Sequence, residues 1–326
     1  MAKIVVTYGV PAQGFSDHLR GHQICIPSPL TGYTKTELLS ILPDADAVVA
    51  CTAFDADMIA AAKQLKLIVC YGAGYDAIDV DAATKAGIMV ANTPDAVTAP
   101  TAELAIALLM GIARRIPQLN QLLRTQPTSQ VFGMGKHMGS TLTGQTLGIV
   151  GMGRIGSMVA DFGHLMGMKI LYNARTPKPL RDALGDQRVS LPDLMAQSDF
   201  ISLHCPATPK TQGLISQKMI ALMKPTACLI NTARGAVVDE NALLDALING
   251  RIAGAALDVY PKEPHINPAF LTLPNVILTP HCGSNTHQAR YEMARQASLR
   301  IQAVLAGQLP ENLLNPAALS PAANQA

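Results

Sequence analysis

Three side chains far apart in the sequence could do chemistry together: Arg234, Glu263 and His281. Each stands just past a short apolar run that reads as a strand. Arg234 follows Cys228-Leu-Ile-Asn-Thr-Ala, Glu263 lies in Asp258-Val-Tyr-Pro-Lys-Glu-Pro, and His281 ends Val276-Ile-Leu-Thr-Pro. In open α/β sheets ligands gather at the carboxyl ends of the strands. A guanidinium there clamps a carboxylate, an imidazole donates a proton and a carboxylate tunes that donor, which is the set a 2-oxo acid reduction requires.

Such chemistry needs a hydride carrier, and one stretch is built to hold a dinucleotide. The apolar run 146–150 meets Gly151-Met-Gly153-Arg154-Ile155-Gly156, a GxGxxG spacing between a predicted strand and a predicted helix over 154–166. Gly151 allows the tight turn, Gly153 the approach of backbone N–H groups to a pyrophosphate, and Gly156 close packing of helix on strand. The first amides of the helix, with Arg154 and Ile155, then face the phosphates. A second anchor is expected about 20 residues on, where enzymes that take NAD place an acid on the ribose hydroxyls. Here the strand end reads Leu171-Tyr172-Asn173-Ala174-Arg175-Thr176, with Lys178 beyond and no carboxylate. Arginine holds a 2′-phosphate bidentately and the missing acid removes repulsion, so the expected cofactor is NADP, with NAD as the alternative.

The elements that position these groups repeat a strand–helix rhythm. Residues 4–8, 47–51, 67–71 and 87–91 read as strands, and Thr34-Lys-Thr-Glu37 as a capping box opening a helix that ends before Pro43. Gly72-Ala73-Gly74-Tyr-Asp76 after the third strand is either a plain turn or a loop that presents bare amides to a ligand. A long apolar helix is expected to start at Pro100-Thr101-Ala102-Glu103 and reach Ile112, buried as the first crossing between domains. Residues 126–143 read as a long loop. Six strands then follow, at 146–150, 169–172, 200–203, 227–231, 254–258 and 276–279, with a return helix over 284–306. The fold class is α/β: two Rossmann-like domains with doubly wound parallel sheets, the first discontinuous. Residues 1–100 plus 285–326 form the substrate-binding domain and 101–284 the dinucleotide-binding domain. Residues 319–326 are expected to be disordered.

Composition narrows the partners. The chain has 326 residues, 49% hydrophobic and 15% charged, with a net charge of +2 and no basic block, which argues against nucleic acid. The longest apolar segment, 104–113, is shorter than the roughly 20 residues of a membrane span, so no membrane partner is expected. Six scattered cysteines without a CxxC pair suit reduced thiols and a cytoplasmic location. His18 and His22 have helical i, i+4 spacing, and His204-Cys205 and His281-Cys282 are adjacent pairs, but none has the spacing of a zinc site and no metal is expected.

Taken together, Asn231-Thr-Ala-Arg-Gly-Ala-Val-Val-Asp-Glu240, Ala255-Ala-Leu-Asp-Val-Tyr260 with Glu263-Pro264, Thr279-Pro-His281 and Gly72-Ala-Gly-Tyr-Asp76 resemble the D-isomer-specific 2-hydroxyacid dehydrogenases. The likeness spans about 65–315 and looks most like the glyoxylate and hydroxypyruvate reductase branch, partly through Leu171-Tyr172-x-x-Arg175. It implies that Arg234 pairs with the substrate carboxylate and polarises the keto oxygen, that His281 donates the proton, and that Glu263 holds the imidazole so that the proton is available near neutral pH. It implies further that the amides of Ala73 and Gly74 grip the carboxylate and that Asp258 binds the nicotinamide carboxamide. Thr101, Pro206, Thr208, Thr232, Ala233, Gly283 and Ser284 would line the cofactor. It also implies a homodimer, with the helix over 102–112 near the interface. Relatives often place a tryptophan near the substrate from the loop before the cofactor strand. This chain has no Trp; Phe132, Met134, His137 and Met138 occupy that loop, which leaves the preferred substrate size open. The implied activity is NADPH-dependent reduction of a small 2-oxo acid such as glyoxylate or hydroxypyruvate. Oxidation of a 2-hydroxy acid with NAD, or a non-catalytic dinucleotide-sensing co-repressor, are the alternatives.

Overall fold

A computed structural model describes residues 1–319. The expectation of disorder at 319–326 lies, apart from Leu319, outside the described residues. Leu319 itself closes a 3-10 turn, Pro316–Leu319. The described residues divide into two compact units, one of residues 1–100 with 284–319 and one of residues 101–283.

The first unit is built on five parallel strands, β1 (Lys3–Val6), β2 (Gln23–Cys25), β3 (Ala47–Ala50), β4 (Leu67–Cys70) and β5 (Met89–Asn92), in the order β2-β1-β3-β4-β5. Its strands are apolar on both faces because helices cover both. Val5, Val48, Ile68 and Val90 point to one side with Leu38 and Phe54. Ile4, Val49, Leu67 and Val69 point to the other, against Met293, Ala297 and Ile301. Those last three belong to the helix His287–Leu305, so the sequence-distant tail completes the N-terminal sheet. Burial of each such aliphatic side chain is worth roughly 1.5–3 kcal/mol. The expected strand set lacked β2, whose three residues are only partly covered. The capping box at Thr34 is present, with Glu37 returning its carboxylate to the Thr34 N–H.

The second unit carries seven parallel strands rather than six: β6 (Thr146–Val150), β7 (Lys169–Asn173), β8 (Gln187–Arg188), β9 (Phe200–Leu203), β10 (Cys228–Asn231), β11 (Gly254–Leu257) and β12 (Val276–Leu278). The order is β12-β11-β10-β9-β6-β7-β8. This is a doubly wound sheet whose direction of growth reverses between β6 and β9, where such sheets open a ligand crevice. The strand missing from the sequence reading is β8, a two-residue edge whose Gln and Arg leave no apolar pattern to detect.

Five further expectations are corrected. The apolar helix begins at Pro94, six positions before Pro100, which sits inside it. Pro94 occupies the first turn, where a missing N–H costs nothing, while burial of Val97, Ala102, Ala105 and Leu109 outweighs the backbone bond lost at Pro100. At 20 residues and mean hydropathy 1.7 this helix matches a membrane span in length and composition, so the length argument drawn from 104–113 does not hold. Half of it is buried inside the protein, and Ala102 to Ala113 contribute to the core of the second unit. The return helix starts at His287, not 284, because Thr286 caps it through the Ala289 N–H. Within 126–143 one helical turn forms at Thr128–Val131, and a helix precedes it at Ile116–Thr125. His18 lies beyond the short helix Gln13–Ser16, and His22 accepts a bond from the Ala2 N–H, so the two do not share a helix face.

Candidate active site

The glycine turn is sterically fixed. Gly151 adopts φ +101°, and a Cβ on it would fall 2.7 Å from the Cys205 N at the end of β9. A Cβ on Gly156 would strike the Gly151 carbonyl at 2.3 Å, so only glycine lets the helix Arg154–Leu165 sit this close to β6. By contrast, a Cβ on Gly153 would meet nothing within 4 Å. Gly153 is the N-cap and offers no side chain to the first-turn amides, so an open, electropositive face is left beside it. Thr232, at the end of β10, has its hydroxyl buried without a hydrogen-bond partner. A buried donor left in this way fits a polar group that arrives from outside the chain. A cavity of about 460 Å³ next to the turn is lined by Gly153, Arg154, Ser157, Lys178, Pro179 and Arg181. These features suit a dinucleotide.

The three chemical side chains meet within the second unit. His281 takes a left-handed φ of +49° and donates its backbone N–H to the Asp258 carbonyl at 2.8 Å. Its Nδ1 lies 2.6 Å from the Glu263 Oε2, while Glu263 Oε1 accepts the Tyr260 N–H at 2.9 Å. Partial burial raises the Glu263 pKa, but the His281 hydrogen bond, the Tyr260 amide and the nearby charges of His281 and Arg234 outweigh it and hold the carboxyl below its ordinary value. Arg234 is close enough for its charge to be felt there. Its backbone is placed by Asn231, whose side chain donates to the Arg234 carbonyl at 3.0 Å and accepts the Ala233 N–H at 3.0 Å.

Asp258 is 1% exposed and anchors the loop that carries His281. Its Oδ1 accepts the Thr279 hydroxyl at 2.6 Å and the Cys282 N–H at 2.9 Å, and its Oδ2 accepts the Gly283 N–H at 3.0 Å. Tyr260 braces the same loop by donating to the Thr279 carbonyl at 2.9 Å. Sequence reasoning missed Asn231, Tyr260 and Thr279, since their work is to fix backbone; the signal available was their place inside the quoted motifs.

The other expected residues are distributed as follows. Thr101 packs near Gly283 and Asp258. Pro206 and Thr208 form a loop after β9 pinned by Thr211, whose hydroxyl donates to the Pro206 carbonyl at 2.6 Å. Asn173 ends β7 and gives its side-chain amide to the Val189 carbonyl; Ala174, Arg175 and Thr176 follow it. Ala73, Gly74 and Ser284 belong to the first unit, the first two in the loop after β4, where Asn92 holds the Ala73 carbonyl at 2.8 Å. His204 is a partly buried, neutral imidazole, its pKa lowered to about 3 by desolvation and its Nε2 2.8 Å from the Ser202 hydroxyl. All six cysteines are free, and among the described residues no group of three His, Cys, Asp or Glu side chains is placed to hold a metal ion.

A sheet of this order, a glycine turn and an Arg–Glu–His cluster define a nucleotide-dependent oxidoreductase. Residues 106–283 match the family model described as D-isomer specific 2-hydroxyacid dehydrogenase, NAD binding domain. The chain is 42% identical over 320 residues to a glyoxylate reductase of Thermococcus litoralis, covering 96% of each. It is also 42% identical over 289 residues to a D-3-phosphoglycerate dehydrogenase of Methanocaldococcus jannaschii, covering 87% of this chain and 54% of that one. In structure it is similar to an NADPH-dependent glyoxylate/hydroxypyruvate reductase of Sinorhizobium meliloti solved with NADP and malonate, at TM-score 0.85, 29% identity and 96% coverage of each chain. The protein belongs to the D-isomer-specific 2-hydroxyacid dehydrogenases and is an oxidoreductase that uses a nicotinamide dinucleotide.

Proposed function

We propose that the protein reduces a small 2-oxo acid, of the glyoxylate or hydroxypyruvate kind, to the D-2-hydroxy acid with NADPH. The observation that carries this reading is the 2.6 Å bond between His281 Nδ1 and Glu263 beside Arg234. With Nδ1 held by the carboxylate, Nε2 is the nitrogen that gives its proton to the keto oxygen. Arg234 pairs with the substrate carboxylate and stabilises negative charge as it develops on that oxygen. Glu263 stays ionised and stabilises the protonated imidazole. The bound dinucleotide supplies the hydride. It would be held by the amides that follow Gly151 and Gly153, by Thr232 and by Asp258, whose Oδ2 accepts the Gly283 N–H and keeps a lone pair for a carboxamide N–H. Arg175 and Lys178 favour NADP, because no acid stands at the end of β7.

The unit of residues 101–283 is on this reading the dinucleotide domain and the other the substrate domain, with Ala73 and Gly74 giving amides to the carboxylate. A homodimer built on the dinucleotide domain, with the stretch 102–112 at or near its interface, and a cytoplasmic location complete the proposal. Its test is a spectrophotometric scan of about a dozen 2-oxo acids with NADPH and NADH. Glyoxylate or hydroxypyruvate turned over with higher kcat/KM for NADPH is the expected result. Preference for NADH overturns the cofactor assignment, and no oxidation of either cofactor overturns the reaction and revives a dinucleotide-sensing role.

A further inference from the structure

The segment after β7 is held at both ends. At its far end the buried Tyr172 hydroxyl donates to Asp182 at 2.6 Å and accepts the Lys178 N–H at 3.1 Å. Beyond it, Arg181 bridges Asp186, at 2.6 Å, and Asp161. At its near end the edge strand β8 reaches across. Arg188 donates Nε and Nη2 to the Ala174 carbonyl at 3.2 and 3.0 Å, and Nη2 again to the Arg175 carbonyl at 3.1 Å. Both peptides are trans, so each carries its N–H opposite its C=O. With the two carbonyls drawn to the guanidinium, the N–H groups of Arg175 and Thr176 turn away from it, and among the described residues neither donates to a protein acceptor. A cation on a carbonyl also polarises the amide beyond it. Two successive free amides facing one way form a concavity that binds anions, here on a segment that also carries two basic residues, Arg175 and Lys178.

We propose that Arg188 is a specificity-determining positioning residue. By fixing the carbonyls of Ala174 and Arg175 it aims the amides of Arg175 and Thr176 at the 2′-phosphate of the dinucleotide. This rests on the NADP reading above but adds a residue from a strand that no cofactor motif includes. Lysine at 188 keeps the charge but lacks the fork that spans two carbonyls.

The test is calorimetric binding of 2′,5′-ADP and of ADP to the wild-type protein, R188A and R188K, with thermal melts to verify folding and kcat/KM for NADPH and NADH alongside. R188A is expected to bind 2′,5′-ADP about tenfold more weakly while ADP changes less than about twofold, and R188K to recover little of the loss. The NADPH over NADH preference falls in step. Selective wild-type binding of 2′,5′-ADP that R188A leaves intact overturns the role of Arg188 and leaves the NADP reading standing. Full recovery in R188K overturns positioning in favour of charge alone. A wild-type protein that binds 2′,5′-ADP no more tightly than ADP overturns the NADP reading itself.

Discussion

The two flanks of the seven-stranded sheet use their residues in opposite ways. On the β10–β12 flank the proposed chemistry belongs to side chains, and the backbone under them is pinned by Asn231, Asp258 and Tyr260. On the β7–β8 flank the proposed binding belongs to the backbone, and side chains pin it: Arg188 and Tyr172 hold the segment that carries the two free amides. Substitutions on the first flank should therefore act on turnover, and those on the second on cofactor choice with kcat nearly untouched.

The sharpest break of this contrast is His281→Ala. Loss of the proton donor should lower kcat by about 10²–10⁴-fold with little change in cofactor KM, as read in steady-state reduction with NADPH. Unchanged turnover would remove His281 from the chemistry. Arg234→Ala comes next: it should raise the 2-oxo acid KM and lower kcat, with kcat/KM down by about 10²–10³-fold, and Arg234→Lys should recover only part because the bidentate grip is gone. An effect on KM alone would reduce Arg234 to a binding residue.

Glu263→Gln should be milder, about tenfold in kcat, because a protonated imidazole loses its carboxylate partner. The same variant has a stability signature. Glu263 is held below its ordinary pKa of 4.5, so its stabilisation is present above that pH and is lost as pH falls through the lowered value. The Tm deficit of E263Q should be full near neutrality and close as pH drops below about 4.5. A deficit independent of pH would mean that the lost contact was one of shape and not of charge.

The same contrast explains what could be read from the sequence. Gly151 and Gly156 were legible because only glycine survives where a Cβ would meet backbone at 2.7 and 2.3 Å. That Arg234, Glu263 and His281 come together was legible because each follows an apolar strand of one sheet and carries a group suited to chemistry there. Arg188 was not, since its role is to bond two carbonyls more than ten residues upstream, and a two-residue edge strand has no periodicity. Pro100 misled because a proline signals a helix start on local grounds, whereas buried neighbours carried the helix through it. The tail helix could be anticipated as a helix, yet its packing of Met293 and Ile301 on the first sheet depends on contacts far along the chain.

Tyr172→Phe should give the smallest effect and separates the two ends of the β7–β8 segment. The Tyr172 ring is fully buried and its hydroxyl links Asp182 to the Lys178 N–H; burial and Asp182 raise its pKa, so it remains a neutral donor. Removing the hydroxyl keeps the packing and costs about 1–2 kcal/mol, since two polar partners lose one bond each. A thermal melt should register this as a lower Tm, while kcat is unchanged and the preference for NADPH shifts by less than about threefold. The reason is position: Tyr172 holds the segment at Lys178, past the two free amides, whereas Arg188 holds the carbonyls that orient them. A loss of NADPH preference in Y172F as large as in R188A would mean that the segment responds as one rigid piece, and the distinction between its two ends would fall.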